Sequence, residues 1–179
     1  MDDFSINDKI ISKIVSFAGV FHLKGDIMHF GVVDENSVAL WLRLLKLYEF
    51  EESCESTQVL GFDFFEKRGM CEIFANCNKI LPRRLRLVKG DAVKKSLEHV
   101  TEKIEEGGEP GIKLLCIEFS NASTTMVLSN LWDLVVKTGV VILDISHKLS
   151  LTKFLAALPV NEKCEITEVS QVLVIRKMY

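Results

Sequence analysis

At 179 residues, 48% of them hydrophobic and 26% charged, the chain suits one soluble globular domain with a core that needs no disulfide staples. A formal net charge of −3 argues against nucleic-acid binding by the whole surface, and no apolar run reaches the length of a membrane span. Five cysteines at irregular spacings, none in a C-x-x-C pair, predict no zinc site and fit a reducing cytoplasm.

The acidic start, MDDFSINDK, lacks the basic region of a secretory signal. Ile10, Ile11, Ile14, Val15 and Ala18 recur at helical spacing, so a helix is expected over 8–18, within an N-terminal segment 1–19 ahead of a core over 20–179. A short strand is expected near 20–23, then a buried strand over 27–31. The segment 37–48 carries Val38, Leu42, Leu45 and Trp41, Leu44, Tyr48 at helical spacing. A polar loop over 49–56 leads to a strand over 58–65. In 68–81 the spacing of Ile73, Phe74, Cys77 and Leu81 is helical, and Pro82 ends it. A strand over 85–88 precedes a helix that Asp91 caps and that runs to Glu106. After the break Gly107-Gly108-Glu109-Pro110-Gly111, the apolar run 112–119 reads as a parallel strand covered on both faces. A helix over 124–137, a buried strand over 140–145, a helix over 149–158 and a terminal hairpin of 164–169 with 172–177 complete the chain. Strands alternating with helices predict an α/β fold with a mainly parallel sheet and helices on both faces.

The strand, turn and helix from Gly25 to Tyr48 place a turn where nucleotide-binding proteins hold phosphate. Laid on G-x-x-x-x-G-K-[ST], Gly31 takes the first glycine, Asn36 the second, Ser37 the lysine and Val38 the hydroxyl. Val32, Val33, Asp34, Glu35 and Asn36 fill the interval without a glycine. Asp34 and Glu35 bring carboxylates to the positive end of a helix, where an anion would sit. The phosphate site is read as lost.

Taken together, KGDIMHFGVVDENSVALWLRLL, KLLCIEFSNAS, LWDLVVKTGVVILDISH and VLVIRKMY resemble the RecA/KaiC superfamily of P-loop ATPases. The resemblance implies a three-layer RecA-like core with a C-terminal β-hairpin. It puts Glu118 at the acidic position of the Walker B strand, with Ser120 after it, and a sensing polar residue at Ser146 or His147. Asp63 and Glu66 are the candidates for a catalytic glutamate after the second strand, and surface charge explains them equally well.

Glu118, Ser120, Ser146 and His147 therefore mark a ligand edge. Glu118 there would either hold magnesium or activate water, or be a remnant carboxylate bonded to backbone N–H groups. The second reading is preferred in the absence of a P-loop lysine. Arg83, Arg84, Arg86, Lys89, Lys94 and Lys95 form the basic concentration of the chain, suited to phosphates, to an acidic partner or to solvent alone. The expected function is a catalytically inactive RecA/KaiC-like subunit, cytoplasmic, with no cofactor and no metal. Its partner would be a protein, either a RecA-family ATPase or a second copy of itself. The alternatives are a recombination accessory protein that binds DNA through 79–95, and a ligand-binding or enzymatic site at the strand edge near Glu118.

Overall fold

The computed structural model describes residues 15, 19–32, 35–48, 50–63, 69–118, 121–144, 146, 148–158, 164–169 and 171–178. The expected helix over 8–18, together with Asp34, Glu66, Ser120 and His147, lies outside these, as does the side chain of Ser37. Seven strands form one sheet: β1 (Asp26–Phe30), β2 (Val59–Asp63), β3 (Leu85–Lys89), β4 (Ile112–Ile117), β5 (Val135–Asp144), β6 (Cys164–Val169) and β7 (Val172–Lys177). The helices are α1 (Glu35–Leu47), α2 (Met70–Cys77), α3 (Ala92–Glu105), α4 (Asn121–Leu131) and α5 (Lys148–Ala157).

The strand order is β3-β2-β1-β4-β5-β7-β6. β3, β2, β1, β4 and β5 pair in parallel, whereas β7 pairs antiparallel with both β5 and β6. The first five strands have the order 3-2-1-4-5 of a doubly wound dinucleotide-binding sheet, whose direction of winding reverses between β1 and β4. The parallel sheet, the helices on both faces and the terminal hairpin agree with the sequence reading.

Alternation along the strands sorts the core into two layers. Ile27, Val59, Leu114, Val140 and Ile142 face α1 and α2, meeting Val38, Trp41, Leu42, Leu45, Ile73 and Cys77. Met28, Phe30, Leu60, Phe62, Leu115, Ile117, Val141 and Leu143 face the other way, against Val127, Leu128 and Leu131 of α4 and Leu151 and Phe154 of α5. Each such apolar side chain, fully buried, contributes roughly 1.5–3 kcal/mol. α3 covers that second face less completely, through Val93, Leu97 and Val100. Asp91 caps α3 as expected, its Oδ1 accepting from Lys94 N at 2.9 Å.

Three local expectations are corrected. Residues Val20–His22 form a 3-10 turn instead of a strand, entered through Gly19 in the left-handed region. A second 3-10 turn, Glu52–Cys54, interrupts the expected loop. The helix expected over 124–137 ends at Leu131, and β5 begins at Val135. The β-branched Val135 pairs with Ile112, and β5 then spends five residues where β4 spends two before Val140 meets Leu114. Thr138, with φ 63°, turns within that bulge, so Thr138-Gly139 is an irregularity inside a strand and does not follow a helix.

The amino edge of the sheet holds a charge network around Asp26. Asp26, 3% exposed, accepts from Lys103 Nζ at 2.8 Å and from Gln58 N at 3.0 Å, and His99 Nε2 lies 3.5 Å away. Burial raises the Asp26 pKa, but the hydrogen bonds of His99, Lys103 and Gln58 and the Lys103 charge outweigh it and hold the carboxyl below its usual range. Beside this network Lys113 is fully buried, its Nζ donating to Leu23 O at 3.2 Å and lying 3.5 Å from Cys54 Sγ. No helix among the described residues is long and apolar enough to cross a membrane.

Candidate active site at the carboxyl edge

Doubly wound sheets bind ligands beyond the carboxyl ends of their strands, at the point where the winding reverses. In this chain that point lies between Gly31, after β1, and Glu118, after β4. The register puts Phe30 beside Phe62 and Ile117, Ile117 beside Leu143, Asp63 beside Lys89 and Asp144 beside Val172. One residue further, Asp63, Gly31, Glu118 and Asp144 fall into a single row. Gly31 N donates to Phe62 O at 2.9 Å and Glu118 N to Phe30 O at 2.8 Å, which keeps the row in register past the strand ends. Counting by twos from Val59, Leu114 and Ile142 puts all three carboxylates on the α1 face. Neighbouring strands lie about 4.8 Å apart, so Glu118 and Asp144 are adjacent and Asp63 stands across Gly31 from Glu118.

Beneath the row sits His29, 1% exposed. Trp41 Nε1 donates to His29 Nδ1 at 2.8 Å. An indole N–H can only donate, so Nδ1 accepts and the ring proton is placed on Nε2. That Nε2 has no hydrogen-bond partner and lies 3.5 Å from Glu118 Oε2. Cys116 Sγ lies 3.9 Å from the other carboxylate oxygen. Among the described residues His29 is the one basic side chain within 4.0 Å of a Glu118 carboxylate oxygen, and the Glu118 side chain is 41% exposed.

His29, Cys116 and Glu118 offer donor atoms within 4.8 Å of one another, the spacing of a metal cluster. Their protonation does not suit one. Coordination through Nε2 needs a lone pair where the Trp41 contact places a proton. Burial first, then the Glu118 charge and hydrogen bond, hold the Cys116 thiol well above its ordinary pKa, so it is not the thiolate a metal takes. His29 and Cys116 lie against the inner side of Glu118, the ring at 3.5 Å and the thiol at 3.9 Å.

The other expected site residues are dispersed. Gly31, with φ 89°, makes the turn that a side chain would strain. Val32 after it is packed inward: it is 2% exposed, and a Cβ on Gly61 would stand 2.9 Å from Val32 Cγ2. Glu35 is the first residue of α1, its Oε2 accepting from Asn76 Nδ2 at 2.8 Å, and Asn36 follows it, exposed. Ser146 N donates to Asp144 Oδ1 at 2.8 Å, a short turn after β5. The basic segment does not form one patch. β3 separates Arg83 and Arg84 at the amino edge from Lys89, Lys94 and Lys95 at the carboxyl edge by about 16 Å. Arg84 donates to Thr57 O, Arg86 pairs with Glu102 and Lys95 pairs with Glu98.

Sequence reasoning missed His29, Trp41 and Asp144, and gave Asp63 no preference over surface charge. A signal was present. VLGFD, LLCIE and VVILD are three apolar runs that each end on their first carboxylate, and all three carboxylates land in one row.

No family model matches the chain, and no curated protein matches it. Solved structures do. The apo structure of CalS11, a TDP-rhamnose 3′-O-methyltransferase of calicheamicin biosynthesis, superposes with a TM-score of 0.73 at 18% identity, over 96% of this chain and 79% of that one. An O-methyltransferase from Bacillus cereus in complex with S-adenosylhomocysteine gives 0.64 at 15%, over 99% and 83%. A putative rRNA-methylase from Clostridium thermocellum gives 0.61 at 14%, over 99% of each chain. At such identities the likeness shows the fold, which is the Rossmann-like methyltransferase fold.

That finding corrects the RecA/KaiC resemblance. A P-loop core and this sheet both open with a buried strand, a turn and an amphipathic helix, and periodicity does not encode which strand lies beside which. Two functional expectations fall with it, the inactive RecA-like subunit and the DNA-binding accessory protein. The expectation of a non-enzymatic chain is overturned as well, because the solved relatives in fold are enzymes.

Proposed function

We propose that this chain is an S-adenosylmethionine-dependent methyltransferase whose acceptor is a hydroxyl group. The observation that carries the reading is the row Asp63–Gly31–Glu118–Asp144, at the winding reversal of a sheet shared with solved O-methyltransferases.

The described residues suit one end of the cofactor and not the other. Asp63 ends the strand next to the turn, the place from which a carboxylate accepts from ribose hydroxyls in doubly wound folds. A row of carboxylates also favours the positive sulfonium. Among the described residues of the turn, Val32 is buried and Glu35 begins α1, so neither offers the amino-acid carboxylate of the cofactor a counter-charge.

When bound, S-adenosylmethionine supplies a methyl group made electrophilic by the sulfonium. The protein side of the chemistry is orientation and a place for a proton. Glu118, half exposed at the reversal point, would accept the proton of the acceptor hydroxyl. Trp41 fixes the His29 ring, and His29 in turn restrains the side of the carboxylate that faces the core. Asp144, on the neighbouring strand, borders the acceptor side of the row.

Calorimetric titration of the whole chain with S-adenosylmethionine tests the reading. Micromolar affinity, weakened at least about tenfold in Asp63→Ala, is the expected result. No heat of binding up to millimolar cofactor would overturn it.

A further inference from the structure

Phe50 is 93% exposed and Leu47 75%, where α1 ends and the chain reaches the amino edge of the sheet. One exposed apolar side chain is ordinary on a protein surface, but this pair is presented by an anchored turn. Tyr48 turns inward and stacks on Phe21, the ring centroids 4.8 Å apart. The 3-10 turn Glu52–Cys54 is fixed to the same residue, Ser53 Oγ donating to Phe21 O at 2.8 Å and Cys54 Sγ at 3.1 Å. Glu51 N donates to Tyr48 O at 3.0 Å, and Cys54 N to Glu51 O at 2.8 Å. Phe50 is therefore held outward by the contacts that bury its neighbours.

The same edge carries charge of both signs. Glu52 and Glu55 are exposed on the anchored turn. The turn that leads into β3 runs beside it, since Arg84 donates to Thr57 O at 3.1 Å and Val59 N to Arg84 O at 2.7 Å. That second turn exposes Pro82 and Arg83. Arg83 has φ 64°, a left-handed conformation that favours glycine or asparagine, and Asn78 Oδ1 accepts from Arg83 N at 2.9 Å. Backbone strain of this kind persists where the surroundings enforce it, and here it fixes where the Arg83 side chain leaves the turn.

An apolar pair, an acidic turn and a basic turn on one edge make a surface that can pair with itself. A two-fold interface applies every contact twice, so the acidic turn of each copy can meet the basic turn of the other. An apolar centre within a charged rim is the ordinary anatomy of a protein interface. We infer that the amino edge is a self-association surface, through which two copies of this chain form a two-fold dimer with Phe50 and Leu47 buried between them. The carboxyl edge stays open in each copy, so the inference does not depend on the ligand taken there.

The test is sedimentation equilibrium of the whole chain up to about 1 mM, with charge variants run alone and mixed. The expected result is a dimer of micromolar affinity that weakens as salt rises. Phe50→Ser, Arg83→Glu and the double change Glu52→Arg with Glu55→Arg should each weaken it at least about tenfold, with thermal melts unchanged because the side chains are exposed. An equimolar mixture of the two charge variants should regain the dimer, since one chain then offers basic turns and the other acidic ones. A chain that stays monomeric at 1 mM, a dimer that these changes leave intact, or a mixture of folded variants that stays monomeric would each overturn the inference.

Discussion

The two edges of the sheet carry the same motif with opposite outcomes. At the amino edge Arg86 Nη1 lies 3.3 Å from His99 Nδ1, and His99 Nε2 lies 3.5 Å from Asp26. At the carboxyl edge Trp41 stands 2.8 Å from His29 Nδ1, and His29 Nε2 lies 3.5 Å from Glu118. In both, a group that can only donate fixes the imidazole tautomer, and the ring faces a carboxylate. The difference is what else the carboxylate has. Asp26 is 3% exposed and holds Lys103 and a backbone N–H, whereas Glu118 is 41% exposed and has no lysine or arginine partner among the described residues. A saturated carboxylate ties α3 to β1. An unsaturated one, supported from beneath, is available to a ligand.

The same chemical change at the two edges should separate them most. Asp26→Asn leaves Lys103 without its counter-charge and is expected to cost about 3 kcal/mol in denaturant unfolding. Glu118→Gln should change stability by no more than about 0.5 kcal/mol, and should weaken binding of a cationic ligand. Equal losses in both variants would break the comparison. The pH dependence has a definite sign. Asp26 is held below its unfolded value, so its contribution is present above about pH 3.9 and is lost as pH falls through the folded value. Asp26→Asn should flatten that acid limb, and Glu118→Gln should leave it in place.

Smaller effects sharpen the picture. Trp41→Phe removes the donor from a buried imidazole and is expected to cost about 2 kcal/mol. It should also change the ¹⁵N shifts of the His29 ring, which now carries its proton on Nε2. At the amino edge burial lowers the Lys113 pKa, with the Cys54 and Asp26 charges opposing. Between its folded value and its unfolded value near 10.4 the unfolded chain binds more protons, so this group makes stability rise with pH across that window. Lys113→Met should remove the rise and add about 1 kcal/mol at neutral pH, measured by thermal melts at several pH values.

Much of the fold was legible in the sequence because burial on both faces writes itself as continuous apolar runs. Ile112–Ile117 and Asp26–Phe30 are each found within two residues of the expected bounds, and Asp91 announced α3. Lateral order was not legible. Nothing in the local pattern of β1 says that β4 and β2 flank it, so the same string of elements fitted a P-loop core. The site suffered for the same reason. Glu118 was singled out on its own strand, but Asp63 and Asp144 gain meaning when register sets them beside it, and His29 when Trp41, twelve residues on, returns to it. The basic segment failed conversely, since neighbours in sequence ended at opposite edges of β3.

The most direct test of an open carboxyl edge is amide chemical-shift mapping of the labelled chain as S-adenosylmethionine is added. Shifts concentrated at Gly31, Val32, Asp63, Gly90, Glu118 and Asp144, with Asp26, His99 and Lys103 unmoved, are the predicted result. Shifts centred on the amino edge, or none at saturating ligand, would contradict it.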